Sequence, residues 1–190
     1  AIYHIGLTYY RQRQYDSALK EFNQVVSLYP QSGYLMRARY QSTLCYRRKE
    51  QPDLAQKYLK DFIENYQSSG DELVEEAMYD LGWVQENDKQ YDAALVSYRR
   101  LTNTYPQSKL LPKTYWRIGW IQFKQGRYDD SIETFTALMK FFPTDSYALA
   151  AHFWKAKSYE RQRQWEAAEK TYRELAETNQ WYYSFRAREQ

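Results

Sequence analysis

The sequence predicts an all-α protein made of about five helical hairpins in tandem. A small residue early in the second helix of each hairpin recurs as Ala18, Ala55, Ala94, Ser131 and Ala168, at separations of 37, 39, 37 and 37 residues. A facing small position in the first helix keeps the same steps through Gly6, Thr43, Gly82, Gly119 and Ala156. Four residues after the first series stands a large residue each time: Phe22, Leu59, Tyr98, Phe135 and Tyr172. Two amphipathic helices joined by a short turn cannot bury their apolar faces alone, so such hairpins must stack on neighbours.

The stretch from Tyr115 to Pro143 shows the unit most completely. Its first helix carries Tyr115, Ile118, Gly119 and Gln122 at the i, i+3, i+4, i+7 spacing of a buried stripe. A glycine inside a helix costs about 1 kcal/mol against alanine, which is tolerable where another helix crosses close to the backbone at Gly119. Gly126 supplies the left-handed residue that ends the helix. The second helix carries Tyr128, Ser131, Ile132, Phe135, Leu138 and Met139, and Pro143 stops it. A turn aromatic recurs as Tyr15, Tyr91, Tyr128 and Trp165, with Pro52 in its place once. Second helices are expected to end at Pro30, Pro106 and Pro143, with Gln67 and Gln180 at the equivalent places. Ser32, Ser69, Ser108 and Asp145 are expected to cap or precede the following helix, with Pro112 in a first turn. The two extra residues near Gly70-Asp71-Glu72 read as a loop extension. These signals place repeats at about 1–33, 34–70, 71–107, 108–145 and 146–180, in one domain over 1–190, and 181–190 begins a further helix.

Composition agrees with stacked helices. Apolar residues make up 43% of 190 and glycines and prolines are few, while 21 tyrosines and 6 tryptophans demand cores built from amphipathic rings. A formal net charge of +3 is too small to argue for nucleic acid. The single Cys45 excludes an internal disulfide and suits a small buried packing role. No stretch approaches the roughly 18 apolar residues of a membrane span, and no signal peptide is visible. The chain opens at Ala1 already inside a helical pattern, which suggests a mature protein or a fragment.

Little in the chain could carry chemistry. His4 and His152 lie far apart without a further ligand at metal spacing, so no metal and no cofactor are expected. Glu75-Glu76 and Asp129-Asp130 fall at helix starts, where carboxylates favour the positive end of the dipole. There is no nucleophile elbow or phosphate loop, and the chain reads as not an enzyme.

The sharper signal is a second face on the first helices. One position in each gives Tyr3, Tyr40, Tyr79, Trp116 and Phe153, and four residues later come Leu7, Leu44, Trp83, Trp120 and Lys157, with Phe123 continuing the line. Simple packing between neighbours would account for the tyrosines about as well as a binding role, and less well for Trp83 and Trp120. Exposed tryptophan clusters are unusual unless a partner covers them. Arg11, Arg37, Arg47 and Arg48 fall on or beside this face, followed by Glu76, Asp80 and Glu86, then Lys113, Arg117 and Lys124. The candidate groove is therefore Tyr3, Tyr40, Tyr79, Trp83, Trp116, Trp120, Phe123 and Phe153 with Arg11 and Arg48, and its expected ligand is a polypeptide.

YYRQRQYDSALKEF at Tyr9 to Phe22 and KQYDAALVSY at Lys89 to Tyr98 resemble tetratricopeptide repeats. The resemblance implies a right-handed superhelical array whose first helices line a concave surface. The Tyr-Pro-Gln-Ser junctions and PDLAQKYLKDFIENY at Pro52 to Tyr66 resemble bacterial cell-envelope members, of the outer-membrane assembly lipoprotein and Tol-Pal coordinator type. They imply a non-catalytic protein-binding scaffold in the periplasm or at the outer membrane. Phe153, Trp154, Ala156, Glu160 and Tyr182-Tyr183 are similar to the helical domain of soluble lytic murein transglycosylases. That second resemblance implies the alternative of a non-catalytic domain acting beside peptidoglycan, with glycan stacked on the aromatic groove.

Overall fold

The computed structural model describes residues 1–177; the expected end of the fifth second helix at Gln180, Tyr182-Tyr183 and the further helix at 181–190 lie outside the described residues. Among the described residues there are ten α-helices and no strand. They are α1 (Ile2–Arg11), α2 (Tyr15–Leu28), α3 (Leu35–Arg48), α4 (Pro52–Tyr66), α5 (Glu72–Asn87), α6 (Tyr91–Thr104), α7 (Leu111–Lys124), α8 (Tyr128–Phe141), α9 (Ser146–Arg161) and α10 (Trp165–Glu177). The chain divides into two compact units, Ala1–Ser97 and a second beginning at Tyr98. In the first unit α1 packs on α2, α2 on α3, α3 on α4 and α4 on α5; in the second α7 packs on α8, α8 on α9 and α9 on α10. First helices also touch directly, α3 with α5 and α7 with α9.

All fifteen residues of the three repeat series are buried. The reason for the small ones is explicit at two of them. A Cβ placed on Gly6 would stand 2.6 Å from the Phe22 ring, and one on Gly119 would stand 2.6 Å from the Phe135 ring. The second helix of each of these hairpins thus presses an aromatic ring onto the backbone of the first. Ser131 adds a hydrogen bond, its Oγ donating to the Gly119 carbonyl at 3.0 Å.

The turns within hairpins share one design. Arg13, Glu50, Lys89, Gly126 and Arg163 each have a positive φ, between 54° and 75°. The next residue sends its N–H back to the third-last residue of the helix, as from Gln14 to Tyr9 and from Arg127 to Gln122, each at 2.9 Å. This is the Schellman closure, in which a left-handed residue turns the chain out of the helix while the last carbonyls stay bonded.

Between hairpins, helices end two residues before the prolines, at Leu28, Thr104 and Phe141. The ring of a proline pushes the preceding residue out of the helical region, and Tyr29 (φ −132°, ψ 57°) and Phe142 (φ −134°, ψ 56°) show it. Asp71 and Asp145 are side-chain N-caps, accepting from Leu73 and Tyr147 N–H at 2.9 Å. Ser32, Ser69 and Ser108 act one step earlier, each accepting an N–H two residues on at 3.2 Å. Pro52 and Pro112 sit in first helical turns, where a missing N–H costs nothing.

Cys45 is fully buried and burial pushes its thiol up to about 12. Burial also raises the phenols of Tyr3 and Tyr40. A folded-state pKa above the unfolded one gives stability that is complete below the unfolded pKa and is lost as pH climbs towards the folded value. Stability to denaturant is therefore expected to fall as pH rises above 9, the ordinary thiol value here, with Cys45→Ala flattening the first part of that decline. Separately, Gly119→Ala is expected to cost about 2–3 kcal/mol by overpacking, and Phe135→Leu to relieve part of that cost in the double variant; denaturant melts of the four proteins measure both.

Candidate functional site

Within the second unit, α7 and α9 bring together a cluster of rings. Trp116, Trp120 and Phe123 lie along α7 with nearly parallel planes: 5.9 Å and 14° between the tryptophans, 5.9 Å and 8° from Trp120 to Phe123. Their spacing of four and three residues places them on one helical face. Trp154 of α9 stands edge-on to two of them, 4.4 Å from Trp120 and 5.0 Å from Phe123. Tyr147 lies against Trp116 at 6.0 Å, and Tyr128 against Phe123 at 5.5 Å. The four principal rings are half-buried. Arg117 lies over Trp116 at 5.5 Å and Lys124 over Trp120 at 5.6 Å, so cations and ring faces alternate along the helix. Phe153 stands edge-on to Trp154 at 5.6 Å, on the side of α10. It packs on Tyr172 at 5.9 Å and lies 5.8 Å from the Lys157 ammonium.

The first unit uses its corresponding residues differently. Tyr3 is buried, stacked on Tyr34 at 4.9 Å and packed against Phe22. Tyr40 is buried and donates its hydroxyl proton to Asp80 Oδ2 at 2.9 Å. Arg47 pairs with the other oxygen of Asp80 and lies over the Trp83 ring at 5.1 Å. These two tyrosines are thus packing and bridging residues: their positions are covered by α2 and by the loop before α3 in one case, and by α4 and α5 in the other. Trp83 and Tyr79 are half-buried. A cavity of about 370 Å³ opens beside Trp83, lined also by Arg47, Glu50, Pro52, Val84, Asn87 and Asp88. Arg11 and Arg48 are exposed, and Arg48 Nε donates to the Tyr10 hydroxyl at 3.3 Å.

Trp154 is the ring that the expected groove lacked. It occupies the position immediately after the first-helix aromatic, a series that runs His4, Gln41, Asp80, Arg117 and Trp154 at the repeat spacing. Asp80 and Trp154 both reach back to the preceding first helix within their own units. Asp80 meets Tyr40 and Arg47, and Trp154 meets Trp120 and Phe123. The signal lay in that column, where a large apolar ring replaces polar or charged side chains.

The two histidines have ordinary surroundings. His4 is exposed, edge-on to Tyr3 and Tyr34, and His152, 3.5 Å from Glu174, is held below the usual imidazole value by burial. Among the described residues no group of three or more His, Cys, Asp or Glu side chains is placed to hold a metal ion, and no helix is long and apolar enough to cross a membrane.

Solved structures share this arrangement of helices. The MamA protein superposes with a TM-score of 0.70 at 18% identity, covering 93% of this chain and 88% of that one. MamA from Desulfovibrio magneticus gives 0.71 at 15% identity, covering 93% and 92%. A tetratricopeptide repeat protein from Parabacteroides merdae gives 0.73 at 11%, covering 93% of this chain and 64% of the other. Residues 117–183 match a tetratricopeptide-repeat family model. The protein is a tetratricopeptide-repeat solenoid, a fold typical of protein–protein interaction scaffolds and generally without catalytic activity. Residues 1–110 match the family model YfiO, described as outer membrane lipoprotein, and the chain belongs to that family. A search of curated proteins by sequence finds no significant match.

The Tyr40 hydroxyl bridges α3 to α5 through a buried carboxylate. Tyr40→Phe keeps the ring and removes this bond, and is expected to cost about 1–3 kcal/mol in chemical denaturation, with an unchanged helical circular-dichroism spectrum before the transition.

Proposed function

We propose that this protein is a cell-envelope scaffold that holds an extended or helical segment of a partner polypeptide on the aromatic face of α7 and α9. The observation that carries the reading is the row of Trp116, Trp120 and Phe123, keyed by Trp154 and flanked by Arg117 and Lys124. Half-buried tryptophans bring large contact area with little conformational entropy to lose, and such residues dominate binding energy at protein interfaces. Trp83, beside its cavity in the first unit, offers a second anchoring point of the same kind. The envelope setting rests on the outer membrane lipoprotein family, and supports a periplasmic or outer-membrane-associated location.

The rings also hold α7 to α9, so wholesale replacement by alanine would confuse lost binding with lost packing. A photo-crosslinking residue in place of Trp120 avoids this, with the same residue at the exposed Val96 of α6 as control. In bacterial envelope fractions the Trp120 probe is expected to give a discrete polypeptide adduct that the Val96 probe does not, and excess unlabelled protein should compete it away. Identical adduct patterns at both positions would overturn the reading. So would competition by purified glycan strands with no polypeptide adduct, the result that sugar stacking on these rings predicts.

A further inference from the structure

Behind the aromatic face, the interior of the second unit holds a chain of buried hydroxyls. Ser131 of α8 donates to the Gly119 carbonyl of α7 at 3.0 Å. Ser158 of α9 stands 3.3 Å from Ser131 Oγ and 2.9 Å from the Trp154 carbonyl of its own helix. Both serines are fully buried. The single proton of Ser158 is shared between Ser131 Oγ and the Trp154 carbonyl, while Ser131 gives its own to Gly119. The line therefore runs from the backbone beside Trp120 to the backbone of Trp154, and on the face itself those two rings meet 4.4 Å apart.

The repeat series shows that this pair of serines is a local choice. At the positions of Ser131 and Ser158 the earlier units carry Ala18 and Cys45, Ala55 and Val84, and Ala94 and Ile121. Packing alone is thus met elsewhere by alanine with a thiol or a branched hydrocarbon. A buried hydroxyl offers less apolar area than these and costs desolvation unless it is bonded. What it adds is direction. A hydrogen bond weakens steeply as its geometry departs from alignment, and a fully satisfied buried network holds the elements it joins in one arrangement. Gly119 and the two serines are small, so their shapes do little to resist a turn of α9 about its axis. Such a turn would carry the Trp154 ring away from Trp120 and Phe123, and would pull Ser158 off Ser131.

We propose that Ser131 and Ser158 are positioning residues for the aromatic face: their hydroxyl chain sets the rotation of α9 against α7 and so holds Trp154 edge-on to Trp120 and Phe123. The proposal rests on the reading of that face as the surface that binds a partner polypeptide, and adds what keeps its rings in register.

The test labels the full chain with fluorotryptophan and follows the fluorine resonances of Trp120 and Trp154, assigned by their loss in Trp120→Phe and Trp154→Phe. Ser131→Ala together with Ser158→Cys reproduces the Ala18 and Cys45 pair, nearly keeps the volume and removes the hydroxyl chain. It is expected to shift or broaden both resonances, to leave those of Trp83 and Trp165 in place, and to lower the adduct yield of the Trp120 crosslinking probe several-fold. Ser158→Thr retains the hydroxyl and is expected to keep both resonances where they are. Ser131→Ala alone, the residue that the other four units carry at that position, gives the same readout if the double variant folds poorly. A variant that only loses stability, with the Trp120 and Trp154 resonances unmoved, overturns the proposal; so do moved resonances with an unchanged adduct yield. Absence of any adduct in the parent protein counts against the partner reading alone, and the resonances then decide whether the serines place Trp154.

Discussion

The contact of a helix backbone with an aromatic ring sets the geometry of the first and fourth hairpins, and much else depends on it. Where Phe22 lies on Gly6 and Phe135 on Gly119, the two helices approach more closely than any side chain at the glycine would allow. That approach fixes which residues of the first helix turn inward. It therefore also fixes which residues are left for neighbouring helices and for solvent. Trp116, Trp120 and Phe123 form an outer row because Ile118, Gly119 and Gln122 are committed to the interior. The face is a consequence of the close packing behind it.

One repeat position then receives two chemically different solutions. In the first unit Asp80 reaches back from α5 to the Tyr40 hydroxyl and the Arg47 guanidinium. In the second, Trp154 reaches back from α9 to the rings of Trp120 and Phe123. Arg47 and Phe123 are equivalent positions, so charge meets charge in one place and ring meets ring in the other. A buried ionic contact is directional and costs desolvation, whereas an aromatic contact gains from area and tolerates small shifts. The repeat keeps its backbone arrangement while the chemistry of its joints varies.

The repeat pattern was legible because close backbone contact admits few residue types. Ala18, Ala55, Ala94, Ser131 and Ala168 announce themselves, and the described helices follow the spacing they imply. Helix ends were less so. Pro30, Pro106 and Pro143 mark where a helix cannot continue, but the residue before each is already excluded, so the helices stop earlier. The aromatic row on α7 could be read from helical periodicity alone. The fates of Tyr3 and Tyr40 could not, because they depend on Tyr34 and Asp80 arriving from later elements. The contacts of Trp154 with Trp120 and Phe123 were hidden for the same reason: what a side chain meets across an interface is not written in its own helix.

The hairpin turns carry a further implication. Four of the five left-handed closing positions are held by Arg13, Glu50, Lys89 and Arg163, where only Gly126 fits without strain. Each charged residue there forgoes something on the order of 1 kcal/mol of backbone ease, and in return the turn keeps a polar, less flexible residue than glycine in contact with water. These turns are a reserve of stability that the chain leaves undrawn. Because they sit at the hairpin tips, that reserve could offset a costly change elsewhere in a hairpin without altering its packed faces.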